Sequence, residues 1–226
     1  RLECDLTNHN ISIEAIKDDF NQTIAADFDM SWDLYNQEQK PKMALFVSKY
    51  DHCLFDILGR YSAGELNVEI PVIISNHSDL RSIAERFDIP FHVVPFTKDN
   101  KEEGEAKQIE LLKRYDINFI VLARYMQIIT PKLISLYENK IINLHPSLLP
   151  KYGGKGMHGA HVHKAVIEAK ETDSGITVHF VNEEFDKGRI IAQFRCSIDD
   201  KDTVETLAKK IHVLEQSYLP VVIEKT

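Results

Sequence analysis

Lys140-Ile141-Ile142-Asn143-Leu144-His145-Pro146-Ser147-Leu148-Leu149-Pro150 is an apolar run that delivers two polar side chains, Asn143 and His145, before a pair of prolines closes it. Strand side chains alternate between faces, so residues two apart share one, and Asn143 and His145 point into the same place at a strand end. Pro146 and Pro150 stop the strand and stiffen the loop after it, because proline fixes φ and cannot donate to a ladder. Taken alone, the pair has two readings: a site, or a strand end whose Asn caps a turn and whose His is a satisfied core residue.

Outward from this stretch, buried strand-like runs alternate with helical periodicity. Met43 to Ser48, Ile70 to Ser75, Phe91 to Phe96 and Phe119 to Ala123 read as strands. His52 to Arg60, Ser78 to Phe87 with Ser78 as cap, Glu102 to Tyr115 and Pro131 to Tyr137 read as helices, and the strand after them ends at Asn143. This β-α-β-α order predicts a mostly parallel sheet with helices on both faces, whose ligands bind beyond the carboxyl ends of the strands. Strict alternation then stops. Lys151 to His161 is a glycine-rich loop and Val162 to Ala169 a helix, while Gly175 to Val181 and Arg189 to Ser197 are strands that so short a connection makes antiparallel. Asp202-Thr203-Val204-Glu205 has the form of a capping box, opening a last helix with Leu207, Ala208, Ile211 and Leu214 on one face.

Residues 1–37 read as a small separate unit: a strand remnant, a helix from Ser12 to Phe28 with Ile13, Ile16 and Phe20 at helical spacing, and a strand from Asp29 to Tyr35. It carries too little apolar surface to fold alone. Residues 38–41 read as a linker to a large domain at 42–226. The opening Arg1-Leu2-Glu3-Cys4-Asp5, without methionine or leader, reads as the start of a fragment.

The 226 residues carry 27 Lys and Arg against 35 Asp and Glu, a net charge of −8 that argues against nucleic acid as a partner. No apolar run nears the ~20 residues that cross a bilayer, so a membrane protein is not expected. Cys4, Cys53 and Cys196 are odd in number and far apart, which predicts neither a disulfide scaffold nor a structural zinc, and a reducing cytoplasmic setting.

Asn143-Leu144-His145-Pro146-Ser147-Leu148-Leu149-Pro150 is followed by Gly175-Ile176-Thr177-Val178-His179-Phe180-Val181 and Phe185-Asp186-Lys187-Gly188. Together they resemble the core of the enzymes that use 10-formyltetrahydrofolate, a family that includes glycinamide ribonucleotide formyltransferase and formyltetrahydrofolate deformylase. The resemblance implies an α/β, Rossmann-like formyltransferase fold and a folate substrate, with no permanently bound cofactor. It also implies that Asn143, His145 and Asp186 are catalytic. The Asn143 amide and a protonated His145 would donate to the oxyanion of a tetrahedral intermediate, and Asp186 would take the proton of the acceptor water. Without the resemblance, Asp186 is a turn aspartate before a glycine. Arg124, Met126, Gln127, Ile128 and Ile129, with Val181 and Glu184, are implied to hold the pteridine ring, largely through backbone groups and an apolar lining.

Within that family the first βα turn separates two activities. A phosphate-bearing acceptor needs a turn rich in glycine and serine, so that backbone N–H groups cradle the anion. Val47-Ser48-Lys49-Tyr50-Asp51-His52-Cys53-Leu54 has no glycine, and Asp51 repels a phosphate. This turn and Ala123-Arg124-Tyr125-Met126-Gln127-Ile128 resemble the deformylases, and Asp27 to Tyr35 resembles the end of the ACT domain that precedes them. Tyr152-Gly153-Gly154-Lys155-Gly156-Met157-His158-Gly159 is instead similar to the transferases. Cys53 reads as a small apolar residue rather than a nucleophile. His158, His161 and His163 lack a metal-ligand spacing, so no metal is expected. Glu215 is either a solvated helix residue or, as in the transferases, a nucleotide contact.

The reading is a homo-oligomeric deformylase that supplies formate for purine biosynthesis. Formyl transfer to glycinamide ribonucleotide is the alternative, and a non-catalytic folate or amino-acid sensor is the rival of another class.

Overall fold

The computed structural model describes residues 11–30, 32, 34, 40–96 and 100–226. They fall into two units, Arg1–Gln39 and Lys40–Thr226. In the first, Ser12 caps α1 (Ile13–Phe20) by accepting from Ala15 N at 3.1 Å, and the helix runs on as a wider turn over Asn21–Ala25. The Trp32 ring packs 4.4 Å from that of Phe20, and its indole N–H donates to Asn21 Oδ1 at 2.8 Å. Ala25 is the one buried apolar residue among those described here, while Ile24, Phe28 and Met30 are exposed. Of the strand expected over 29–35, residues 29, 30, 32 and 34 are described and none is in a strand; residues 31, 33 and 35, half of the linker and nearly all of the remnant before Ser12 lie outside the described residues.

The second unit is built on seven strands: β1 (Lys42–Val47), β2 (Glu69–Ser75), β3 (Phe91–Val93), β4 (Phe119–Ala123), β5 (Ile141–His145), β6 (Asp173–Phe180) and β7 (Ile190–Ser197). They form one sheet in the order β3-β2-β1-β4-β5-β6-β7. The first five run parallel, and β6 and β7 are each antiparallel to the strand before them. Met43, Leu45, Val47, Val121, Ile142 and Leu144 share a core with α2 (His52–Ser62), α3 (Arg81–Arg86), α6 (Ala160–Glu168) and α7 (Val204–Lys225). Ala44, Phe46, Ile120, Leu122 and Ile141 share the other core with α4 (Lys101–Arg114) and α5 (Pro131–Leu136). Burial on both faces is why the central strands read as continuous apolar runs. By the same alternation Asn143 and His145 project on the side of Ile141, away from Ile142 and Leu144.

Most boundaries move by one or two residues from the sequence reading, and four of the differences have a visible cause. β3 stops at Val93; Val94 N still donates to Ser75 O, but Pro95 has no N–H with which to continue the ladder. α3 begins at Arg81 rather than Ser78, because the Ser78 carbonyl closes a turn with Arg81 N, the Ser78 side chain caps nothing, and Leu80 O is the first to accept in helical register, from Ala84 N at 3.3 Å. β5 runs through His145 instead of ending at Asn143, since β6 pairs with it as far as His145–Thr177. The last capping box falls one residue later: Thr203 Oγ1 accepts from Thr206 N at 3.3 Å and Thr206 Oγ1 from Thr203 N at 2.8 Å, while Asp202 accepts from Lys210 at 2.6 Å. The buried face of α7 accordingly runs through Leu207, Ile211, Glu215 and Leu219, with Ala208 and Leu214 only partly covered.

Candidate active site

The antiparallel pairing of β5 with β6 sets Asn143 opposite His179 and His145 opposite Thr177, so four polar side chains share one face. Thr177 is buried and fastens the loop that follows β5. Its hydroxyl donates to Ser147 O at 2.6 Å and accepts from Leu149 N at 3.0 Å and Gln193 Nε2 at 2.9 Å. The loop that prolines stiffen is thereby tied to the sheet.

His145 Nε2 lies 2.8 Å from Tyr152 O, which only accepts, so Nε2 carries a proton, and Nδ1 lies 3.5 Å from Asp186 Oδ2. Burial lowers the His145 pKa against the opposing charge of Asp186. Asp186 adopts a left-handed φ of 57°, and its Oδ2 accepts from Gly154 N at 2.8 Å while Oδ1 stands 3.6 Å from His179 Nε2. The Asp-x-Gly pattern is a steric requirement, because a Cβ at Gly188 would overlap Phe180 O.

Asn143 is oriented by a residue that the sequence reading did not single out. His179 Nδ1 donates to Phe180 O at 2.9 Å, which leaves Nε2 to accept from Asn143 Nδ2 at 3.1 Å. One amide N–H of Asn143 is thus used in positioning, and the other is available to a ligand. Burial lowers the His179 pKa, against the bond to Phe180 O and the charge of Asp186, which raise it. The available signal was its place two residues after Thr177, on the strand that faces Asn-x-His.

A second cluster lies between β4, α2 and α7. Glu215 is fully buried, with Oε2 2.6 Å from His52 Nε2 and Oε1 3.2 Å from Arg124 Nη1, so the solvated reading is overturned. Burial alone would raise its carboxyl; the His52 hydrogen bond and the Arg124 charge outweigh that and hold it below the usual range. Arg124 itself has φ 60°, and its guanidinium lies 5.0 Å from the centre of the Tyr50 ring. The His212 ring lies 4.3 Å from that of His52, and His52, His212 and Glu215 bring ligand-type atoms within 4.8 Å of one another. Both Glu215 oxygens are engaged, however, and the adjacent guanidinium opposes a cation. His163 is buried and its pKa falls to about 4, from burial first and the Arg124 charge second. His158 and His161 are exposed and do not join it. The Cys53 thiol is pushed up by burial and by Glu215, as befits an inert core residue.

Residues 41–223 match the formyl transferase model. The chain belongs to the formyl transferase family. It is 40% identical over 220 residues to a formyltetrahydrofolate deformylase of Synechocystis, covering 97% of this chain and 75% of that one. The crystal structure of a formyltetrahydrofolate deformylase from Pseudomonas syringae superposes with a TM-score of 0.88 at 33% identity, over 95% of this chain and 70% of that one. A phosphoribosylglycinamide formyltransferase from Bacillus halodurans gives 0.74 at 32% identity, over 81% of this chain and 94% of that one. The chain spans 64% and 63% of two further deformylases, from Bacillus subtilis and Corynebacterium.

In this formyl transferase the segment after β4 divides. Met126 and Ile128 are exposed, Gln127 is half-buried, and Ile129 and Val181 pack against the core on the α4–α5 side. Met126 N donates to Ser48 Oγ at 3.0 Å, which in turn donates to Asn76 Oδ1 at 2.6 Å, so the ends of β1, β2 and β4 are cross-braced. Glu184 is exposed and pairs with Lys187 at 2.6 Å. Arg124 departs from this group, its side chain turned to Glu215.

Proposed function

We propose that this chain hydrolyses 10-formyltetrahydrofolate to formate and tetrahydrofolate. The observation that carries the choice of water as acceptor is the start of α2, where the N-cap is the exposed Asp51 and the turn before it contains no glycine. A helix N-terminus that could hold an acceptor's phosphate therefore bears a carboxylate instead. His52, the first residue of that helix, is committed to Glu215.

In this reading water attacks the formyl carbon and Asp186 takes its proton, with His145 Nδ1 alongside to share it. The new C–O bond turns the formyl oxygen into an oxyanion, which the second N–H of Asn143 and the newly protonated His145 stabilise. Collapse breaks the bond from carbon to N10 as a proton passes to that nitrogen. Tetrahydrofolate and formic acid leave, and the acid ionises to formate. Met126, Gln127, Ile128, Ile129, Val181 and Glu184 line the pteridine, and the Arg124 backbone accompanies them; the folate is a substrate, not a resident cofactor.

Residues 1–37 are read as part of an ACT domain, joined through 38–41 to the formyltransferase-like domain at 42–226. The broader span matched by the deformylases supports this. The exposed Ile24, Phe28 and Met30 support a homo-oligomer. The reaction would supply formate for purine biosynthesis in the cytoplasm; among the described residues no helix is long and apolar enough to cross a membrane.

The test is tetrahydrofolate release from 10-formyltetrahydrofolate, with and without glycinamide ribonucleotide. Release without the nucleotide is expected. Release that requires it would replace this reading with formyl transfer.

A further inference from the structure

Two buried nitrogens have no hydrogen-bond partner among the described residues: Arg124 Nε and His163 Nδ1. Arg124 is 4% exposed in its side chain and spends Nη1 on Glu215. Its Nη2 lies 3.9 Å from where a Cβ on Gly159 would stand, which places the guanidinium against the start of α6. Gly159 is the N-cap of that helix and offers no side chain to it, and His163 is its fourth residue, 3% exposed. His163 also lies within electrostatic reach of His145.

A buried, charged N–H without an acceptor is costlier than a neutral one, and helix N-termini favour negative charge. A planar carboxylate suits these groups, because its two oxygens accept from a guanidinium edge and from a neutral imidazole N–H together. His163 serves as that neutral donor, its pKa being held near 4. We infer that Arg124 Nε and the His163 ring, beside the start of α6, form a small-carboxylate subsite that receives formate as it leaves His145. The inference rests on the hydrolytic reading for the source of the anion.

The test is a titration of the whole chain, without folate, with 13C-labelled formate, read by NMR line broadening. A three-atom ligand is limited to roughly millimolar affinity, which is the expected wild-type value. His163→Phe keeps the ring's bulk, removes its nitrogens and is expected to weaken binding at least ~10-fold. Phosphate and chloride at equal concentration are expected not to displace formate. No binding by the wild type up to about 50 mM, well above the millimolar affinity expected, would overturn the inference. So would unchanged binding by the variant, or equal displacement by chloride and phosphate. Should His163→Phe fail to fold, wild-type crystals soaked in formate decide: a carboxylate on Arg124 Nε and His163 Nδ1 supports the subsite, and its absence from both overturns it. Because no turnover is read, the titration stands or falls separately from the activity assay.

Discussion

Replacing Glu215 by leucine strands the Arg124 guanidinium, 4% exposed, without the carboxylate that now lies 3.2 Å from it. With an effective dielectric near 20, a pair this close is worth about 4–5 kcal/mol. Removing one partner of a buried pair typically costs about 3–5 kcal/mol, because the remaining charge is left unpaired. For a chain of this length that corresponds to a fall in Tm of roughly 6–20 °C. His52, 2.6 Å from the other oxygen, loses its partner in the same step. The double variant Arg124→Met, Glu215→Leu removes both charges and is expected to recover most of the loss, since apolar replacement of a whole buried pair is often close to neutral. Thermal and urea unfolding of the two single variants and the double one closes a mutant cycle. A cost below about 1 kcal/mol for Glu215→Leu, or a double variant no more stable than that single one, would refute the argument that these charges are mutually compensating.

Asp186→Asn is expected to keep Tm and folate binding near wild type while turnover falls by roughly 10² or more; near-wild-type turnover would remove Asp186 from the role of base. Burial is the main cause of the lowered pKa of His145, His163, His179 and His212. The unfolded chain therefore binds more protons as pH falls through about 6.5, so stability is full above that value and lost below it. For His163 the loss continues to about pH 4. Each histidine contributes at most ~1.4 kcal/mol per pH unit. Urea midpoints at pH 7.5 and 5.5 measure the effect, and equal midpoints would contradict it. Gly188→Ala, which presses a Cβ onto Phe180 O, should cost about 1–3 kcal/mol and lower turnover by moving Asp186; an unchanged melt would show that the turn has slack.

The sheet was readable because its strands are buried on both faces: Phe119 to Ala123 was bounded correctly from its apolar run alone. What failed was local punctuation. Ser78 and Asp202 looked like caps, yet hydrogen bonds to Thr203 and the turns before Arg81 placed the helix starts elsewhere. Glu215 could not be placed from its own neighbourhood, since its partners Arg124 and His52 lie 91 and 163 residues away and only the tertiary fold brings them together. The lowered pKa of His145 is of the same kind, a product of burial rather than of neighbouring letters. Alternation put Asn143 and His145 on one face, but their catalytic reading, like that of Asp186, needed the family resemblance, because an Asn-x-His strand end and an Asp before Lys-Gly are ordinary features of any fold.

Tyr152 O fixes which nitrogen of His145 carries the proton, and Gly154 N, two residues on, aims the carboxylate of Asp186. Both anchors are main-chain atoms of one short loop. The proposed acid–base pair is therefore under an interlock: with the loop seated, ring nitrogen and carboxylate face each other, and a change that displaces the loop would release both at once. Substitutions at residues 153 and 154 would then act through the path of the chain, since Gly154 has φ 102° and a Cβ on Gly153 would press on Leu149 and Asp186.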